Sequence, residues 1–154
     1  MAVEARALVE RFADVMNRRV WDELAELMTE DVVEEYPQSG EVMRGLANVR
    51  AVREHYPGGV PADSIDPATT RISATQQTWA MTPLFTVVRV EGTGDVITAM
   101  FRTRYPDGSE WWVSNLFEVR GGKIARNTAL FAPVFDAPAW RAPYVEPRSD
   151  VAGR

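Results

Sequence analysis

Apolar residues recur at helical spacing over residues 3–17, where Ala5, Leu8, Phe12, Val15 and Met16 form one stripe and Glu4, Arg6, Glu10, Arg11 and Asp14 lie mostly elsewhere. The pattern predicts an amphipathic helix over a core. Beyond the polar joint Asn17-Arg18-Arg19, the residues Trp21, Leu24, Ala25, Leu27 and Met28 predict a second, shorter helix. Residues 32–37 read as a strand, ended by turn chemistry at Gln38-Ser39-Gly40. A third helix carries Leu46, Val49, Val52 or Arg53, and Tyr56 on one side, and Pro57-Gly58-Gly59 stops it.

Residues 57–67 hold three prolines and two glycines without periodicity, which predicts a surface loop of the kind that covers a pocket mouth. After it the texture turns to β, with strands expected near 71–81, 84–91, 96–105, 111–120 and 124–131. Gly92-Thr93-Gly94, Pro106-Asp107-Gly108 and Gly121-Gly122 separate the last of them as short hairpin signals, implying antiparallel neighbours. The Pro-rich stretch 133–147 is unable to pair as a central strand, and its Phe135, Trp140 and Tyr144 suggest a segment draped over the domain or a partner. The chain reads as one domain over 1–147 with a frayed tail over 148–154. Helices first and an antiparallel sheet afterwards is an α+β pattern, with the helices gathered on one face of a curved sheet.

Composition narrows the chemistry. A chain of 154 residues buries roughly two-thirds of its unfolded surface, enough for a core and an internal pocket. It has no cysteine and one histidine, His55, so thiolate nucleophiles, disulfides and His-rich metal sites are excluded. No EF-hand loop appears, and neither a metal nor a cofactor is expected. The net charge of −5 argues against a nucleic-acid partner. No apolar run approaches the ~20 residues of a membrane span, and the N-terminus enters a charged amphipathic pattern directly, so a cytoplasmic protein without membrane contact is expected.

Three segments carry a family likeness: residues 31–45, from Asp31 through Tyr36-Pro37-Gln38-Ser39-Gly40 to Gly45; residues 112–124, from Trp112 through Gly121-Gly122-Lys123 to Ile124; and residues 125–140, with their aromatic end. In order and spacing they resemble the nuclear-transport-factor-2-like superfamily, the scaffold of ketosteroid isomerases and SnoaL-type polyketide cyclases. The resemblance implies a cone-shaped α+β barrel. In ketosteroid isomerases a base carboxylate precedes the first-strand proline, with a helix-borne Tyr and a late-strand acid as partners. Those positions fall on Tyr36, Phe12 and Asn115, so that mechanism lacks its base and its phenol. The Asp essential in epoxide-hydrolase-like and SnoaL-like members falls on Ala129.

A different constellation remains. Strand alternation in the family register points Glu34 and Tyr36 inward, and groups Trp111, Val113, Asn115, Phe117 and Val119 against Trp112, Ser114, Leu116 and Glu118. Glu34 as acid or base with its pKa raised by desolvation, Tyr36 and Asn115 as donors to a carbonyl or hydroxyl, and His55 as an auxiliary near the mouth are the candidate catalytic residues. Phe12, Trp79, Trp111, Val113, Phe117 and Phe131 are the candidate substrate-binding walls. Each has a structural alternative: Glu34 paired with an arginine such as Arg102 or Arg104, Tyr36 and the aromatics as core, Asn115 as a satisfied amide, and His55 as a helix cap. Two readings stay open. One is a cofactor-independent proton-transfer enzyme performing cyclisation, isomerisation, dehydration or hydrolysis on a small apolar oxygenated molecule. The other is a ligand-binding or protein-interaction module on the same fold. Trp112, Leu116 and the aromatic C-terminal segment imply a homodimer.

Overall fold

The first helix, α1 (Ala2–Arg18), turns its apolar stripe inward as its spacing requires, burying Ala5, Val9, Phe12, Ala13, Val15 and Met16. Its last turn carries Arg18, which complements the helix dipole and bonds Asp14 at 2.8 Å and Glu23 at 2.8 Å. This is a computed structural model that describes residues 2–59, 71–75, 79–81, 87–89 and 95–146, with side chains over 5–59 and 96–146. The second predicted helix resolves into a 3-10 turn (Trp21–Glu23) and a single helical turn, α2 (Leu24–Leu27), which buries Leu24 and Leu27. Met28 has already left the helix and begins β1 (Met28–Tyr36), which is longer than its predicted 32–37.

A short strand that the sequence pattern did not show, β2 (Glu41–Arg44), folds back antiparallel on β1 through Gly40 at φ 76°. Its four residues are largely exposed, so no apolar alternation marks it. Gly45, at φ 83°, donates its N–H to the Val32 carbonyl at 2.8 Å and opens α3 (Leu46–Glu54). Only glycine enters that left-handed conformation without strain. Val49 and Arg53, one turn apart, share the inward face of α3.

The remaining strands are β3 (Arg71–Thr75), β4 (Trp79–Met81), β5 (Val87–Arg89), β6 (Asp95–Arg104), β7 (Glu110–Arg120) and β8 (Lys123–Pro133). The main sheet runs β2-β1-β8-β7-β6-β3, and β4 and β5 pair apart from it. Where consecutive antiparallel neighbours were expected, β6 therefore takes β3 as its second neighbour in place of β5, through five residue pairs. The expected strand 71–81 is divided between β3 and β4. Tight turns close the two long hairpins: Gly108 at φ 83° between β6 and β7, and Gly121 and Gly122 at φ 59° and 76° between β7 and β8, as a two-residue primed turn requires. The β1–β8 pairing is parallel, so the sheet is mixed.

The fold is α+β, with helices before a curled mixed sheet. Val9, Val15, Leu24, Phe117 and Ile124 fill one end of the space between them, and the other end is hollow. Among the described residues no helix is long and apolar enough to cross a membrane. A 3-10 helix (Ala139–Tyr144) follows β8, and Phe135, Trp140 and Tyr144 lie exposed rather than packed on the domain. The expected loop lies outside the described residues from 60 onward, as does the expected tail over 148–154.

Candidate functional site

The hollow end is a cavity of about 720 Å³ between α1, α3 and the inner face of β1, β8, β7 and β6. Strand alternation builds its wall. On β7 the inward set Val113, Asn115, Phe117 and Val119 is buried as predicted, and Trp111, Val113 and Asn115 reach the cavity. Phe117 does not; it sits deeper, with its ring centroid 5.1 Å from that of Phe12, which caps the core towards the cavity. Phe131 on β8 lines the space and meets Tyr36 edge-on at 5.2 Å.

The floor is charged. Glu34 is 1 % exposed and its two oxygens accept four hydrogen bonds. Tyr36 Oη donates to Oε1 at 2.7 Å, Arg53 Nη2 to Oε2 at 2.9 Å and Oε1 at 3.2 Å, and Asn127 Nδ2 to Oε2 at 3.1 Å. Arg53, 11 % exposed, is held from behind by the Val49 carbonyl at 2.8 Å from Nη1. Burial alone raises the Glu34 carboxyl, but the Arg53 charge, the Arg53 hydrogen bonds and those from Tyr36 and Asn127 outweigh it and hold the group below the usual carboxylate range. The raised pKa expected of a lone desolvated Glu34 is thus overturned, because a buried guanidinium answers it. Burial and then the Glu34 charge push the Tyr36 phenol far above its ordinary value.

The arginine is not one of those expected. Arg102 and Arg104 share a strand parity opposite to Phe101 and Thr103, which line the cavity; Arg102 bonds Glu110, and Arg104 is exposed at the rim. Arg53 had a sequence signal in its place on the inner side of the third helix. Asn127 had none. The β7–β8 ladder shifts register between Glu118 and Val119, and the extra residue in β8 changes its parity, so that Ile124 and Asn127 both face inward.

His55 stands apart from the cavity wall. It is exposed at the C-terminal end of α3 with Nδ1 2.9 Å from the Ala51 carbonyl, the capping alternative. Trp79 opens β4, and its side chain lies outside the described residues. At the mouth, Tyr56, Tyr105 and Trp111 form an aromatic rim, with Tyr105 6.1 Å from Tyr56 and 5.8 Å from Trp111. Burial, and then Tyr56, push the Tyr105 phenol up to about 12. Among the described residues no group of three or more acidic or imidazole side chains is placed to hold a metal ion. The arrangement can enclose an apolar skeleton and hydrogen-bond a polar group on it.

The sequence matches the SnoaL-like domain family over residues 9–127. No curated protein matches it. Among solved structures, an NTF-2-like protein of unknown function from Burkholderia xenovorans is similar at 24% identity, covering 96% of this chain and 97% of its own, with a TM-score of 0.68. A putative ketosteroid isomerase from Kribbella flavida is similar at 23% identity over 94% of this chain and 90% of its own, with a TM-score of 0.58. These likenesses show the fold.

Proposed function

This chain belongs to the SnoaL-like domain family, and from that premise we propose that its cavity binds a neutral, largely apolar small molecule carrying a carbonyl or hydroxyl group, with Glu34 as an ionised anchor of the cavity floor. The observation that carries this reading is the saturation of Glu34. A carboxylate offers about four acceptor sites, and Tyr36, Arg53 and Asn127 make four hydrogen bonds to it. To act as a base it has to surrender one of those bonds and, once protonated, leave Arg53 buried without its counter-charge. The walls favour apolar skeletons through Phe12, Val113 and Phe131, and the cavity falls in the range of roughly 300–1,000 Å³ usual for small-molecule sites. Titration with Nile red, a neutral apolar dye, is expected to give a saturable fluorescence rise that Ala129→Trp, which places an indole in the cavity wall, weakens. Dye affinity left unchanged by this substitution in a folded protein rejects the reading.

One contact favours proton-transfer chemistry in the same cavity. Tyr36 lines it and its Oη lies 2.7 Å from Glu34, a relay by which a phenol oxygen within reach of substrate takes a substrate proton as the phenol proton passes to the carboxylate. Mass spectrometry of 2-decalone in D₂O distinguishes the two. The binding reading expects no protein-dependent deuterium uptake beside the carbonyl, and uptake that Tyr36→Phe removes establishes catalysis instead.

Self-association also belongs to this proposal. Leu130 on β8 and Phe135, Trp140 and Tyr144 in the C-terminal segment are each exposed. A dimer is expected by sedimentation at micromolar concentration; a monomer there refutes it.

A further inference from the structure

We propose that Asn115 is the polar recognition point of the cavity and that its side chain pairs with an amide edge. The preferred ligand is then an apolar lactam or primary carboxamide rather than a ketone, ether or carboxylate on the same skeleton. The inference rests on the binding reading above and names the polar group which that reading leaves general.

Asn115 is 4 % exposed, belongs to the inward set of β7 and lines the cavity. Its neighbours explain why it has no partner. Ala99 on β6 and Ala129 on β8 stand directly across from it, and a methyl group neither bonds an amide nor reaches out over it. Val113 and Phe117, two positions away along β7, are apolar as well. Asn127 on the diagonal gives Nδ2 to Glu34 Oε2, and no hydrogen bond joins the two amides. Among the described residues, the unpartnered side-chain atoms closed off from solvent are Thr29 Oγ1 and Asn127 Oδ1. Asn115 makes no side-chain hydrogen bond either, yet neither of its amide atoms is closed off, so both keep open surface. With β6 and β8 paired on the two sides of β7, that surface opens into the cavity.

The charged groups of the floor are engaged with one another: Tyr36 Oη and Arg53 Nη2 donate to Glu34, and the ion pair carries no net charge. An amide side chain offers donors on Nδ2 and an acceptor on Oδ1, and it offers both at every pH. A ketone or ether answers only the donor. A hydroxyl has a single oxygen to serve both ends. A carboxylate answers the donor too, but sets its charge against Oδ1 in an apolar wall. A lactam presents N–H and C=O side by side, so it meets Oδ1 and Nδ2 in one plane and leaves neither bond unmade.

Binding of 3,4-dihydroquinolin-2-one, 2-tetralone and tetralin to the intact protein tests this, since the three bicycles differ only in carrying N–H and C=O, C=O alone, or neither. Water holds the lactam more strongly than the ketone, so without an amide partner the ketone binds tighter. Wild type is instead expected to bind the lactam tighter than the ketone by about fivefold. In Asn115→Leu that order should reverse while tetralin keeps or gains affinity. The free variant should melt no lower than wild type, because no hydrogen bond of the protein is lost and an unpaired polar group leaves the wall. A lower melt marks a structural amide and overturns the inference. Wild-type binding of the ketone as tight as that of the lactam overturns it whether or not the variant folds, and with tetralin bound the binding reading stands. If none of the three binds, both fall.

Discussion

Glu34 and Glu35 are consecutive on β1, each answered by an arginine, yet they stand on opposite faces of the sheet. Inside, Glu34 and Arg53 form a buried pair closed by Tyr36 and Asn127. Outside, Arg126 lies between Glu35 and Glu118, bonding the first and reaching the second at 3.1 Å, with all three side chains partly open to solvent. The outer network can exchange its partners for water at little cost. The inner pair cannot, because each charge has given up its solvation and depends on the other. One residue of displacement along a strand thus separates an interchangeable contact from one on which the cavity floor depends.

The largest effect that sharpens this contrast is expected from Glu34→Gln, which strands Arg53. It should destabilise the fold by roughly 3 kcal/mol, a fall in melting temperature on the order of 10 °C for a domain of this size; an unchanged melt breaks the comparison. Acid titration should report the same pair. With the folded pKa of Glu34 below its unfolded value, the unfolded chain takes up the proton first, so the contribution is complete above about pH 4.3 and is lost as pH falls through the folded value. Denaturant midpoints measured from pH 6 down to 3 should show an acid loss that is smaller in Glu34→Gln than in wild type.

On the outer face, Glu35→Gln should cost no more than about 1 kcal/mol, and less in high salt. A loss as large as that of Glu34→Gln erases the distinction between the faces. The smallest change belongs to the double variant Glu34→Leu with Arg53→Met. Replacing both charges by apolar groups of similar size is expected to leave stability close to wild type, and chemical denaturation of single and double variants measures the coupling directly.

Much of the architecture was legible from short-range pattern. The stripe of α1, the glycine turn at Gly121-Gly122 and the inward set of β7 each depend on residues a few positions apart, and all stand as read. Alternation put Glu34 and Tyr36 on one face of β1, and the family register made that face the inner one. Parity would also have ruled out Arg102 and Arg104, since Phe101 and Thr103 between them take the inner face. The strand β2 was hidden because an exposed edge strand of four residues carries no apolar alternation.

The chemistry of the floor was decided elsewhere. Alternation tells which way Glu34 points, but whether it meets a cation or open space depends on α3, 19 residues on, and on β8, 93 residues on. A register shift in β8 turns Asn127 inward against the parity counted from Ile124, and such a shift arises from pairing with β7 rather than from the residues of β8 alone. Direction along a strand is a local property of the backbone, and the sequence carries it. Partnership in a buried cluster is set where distant elements pack, and there the same carboxylate that reads as a free base becomes half of an ion pair, with its pKa lowered instead of raised.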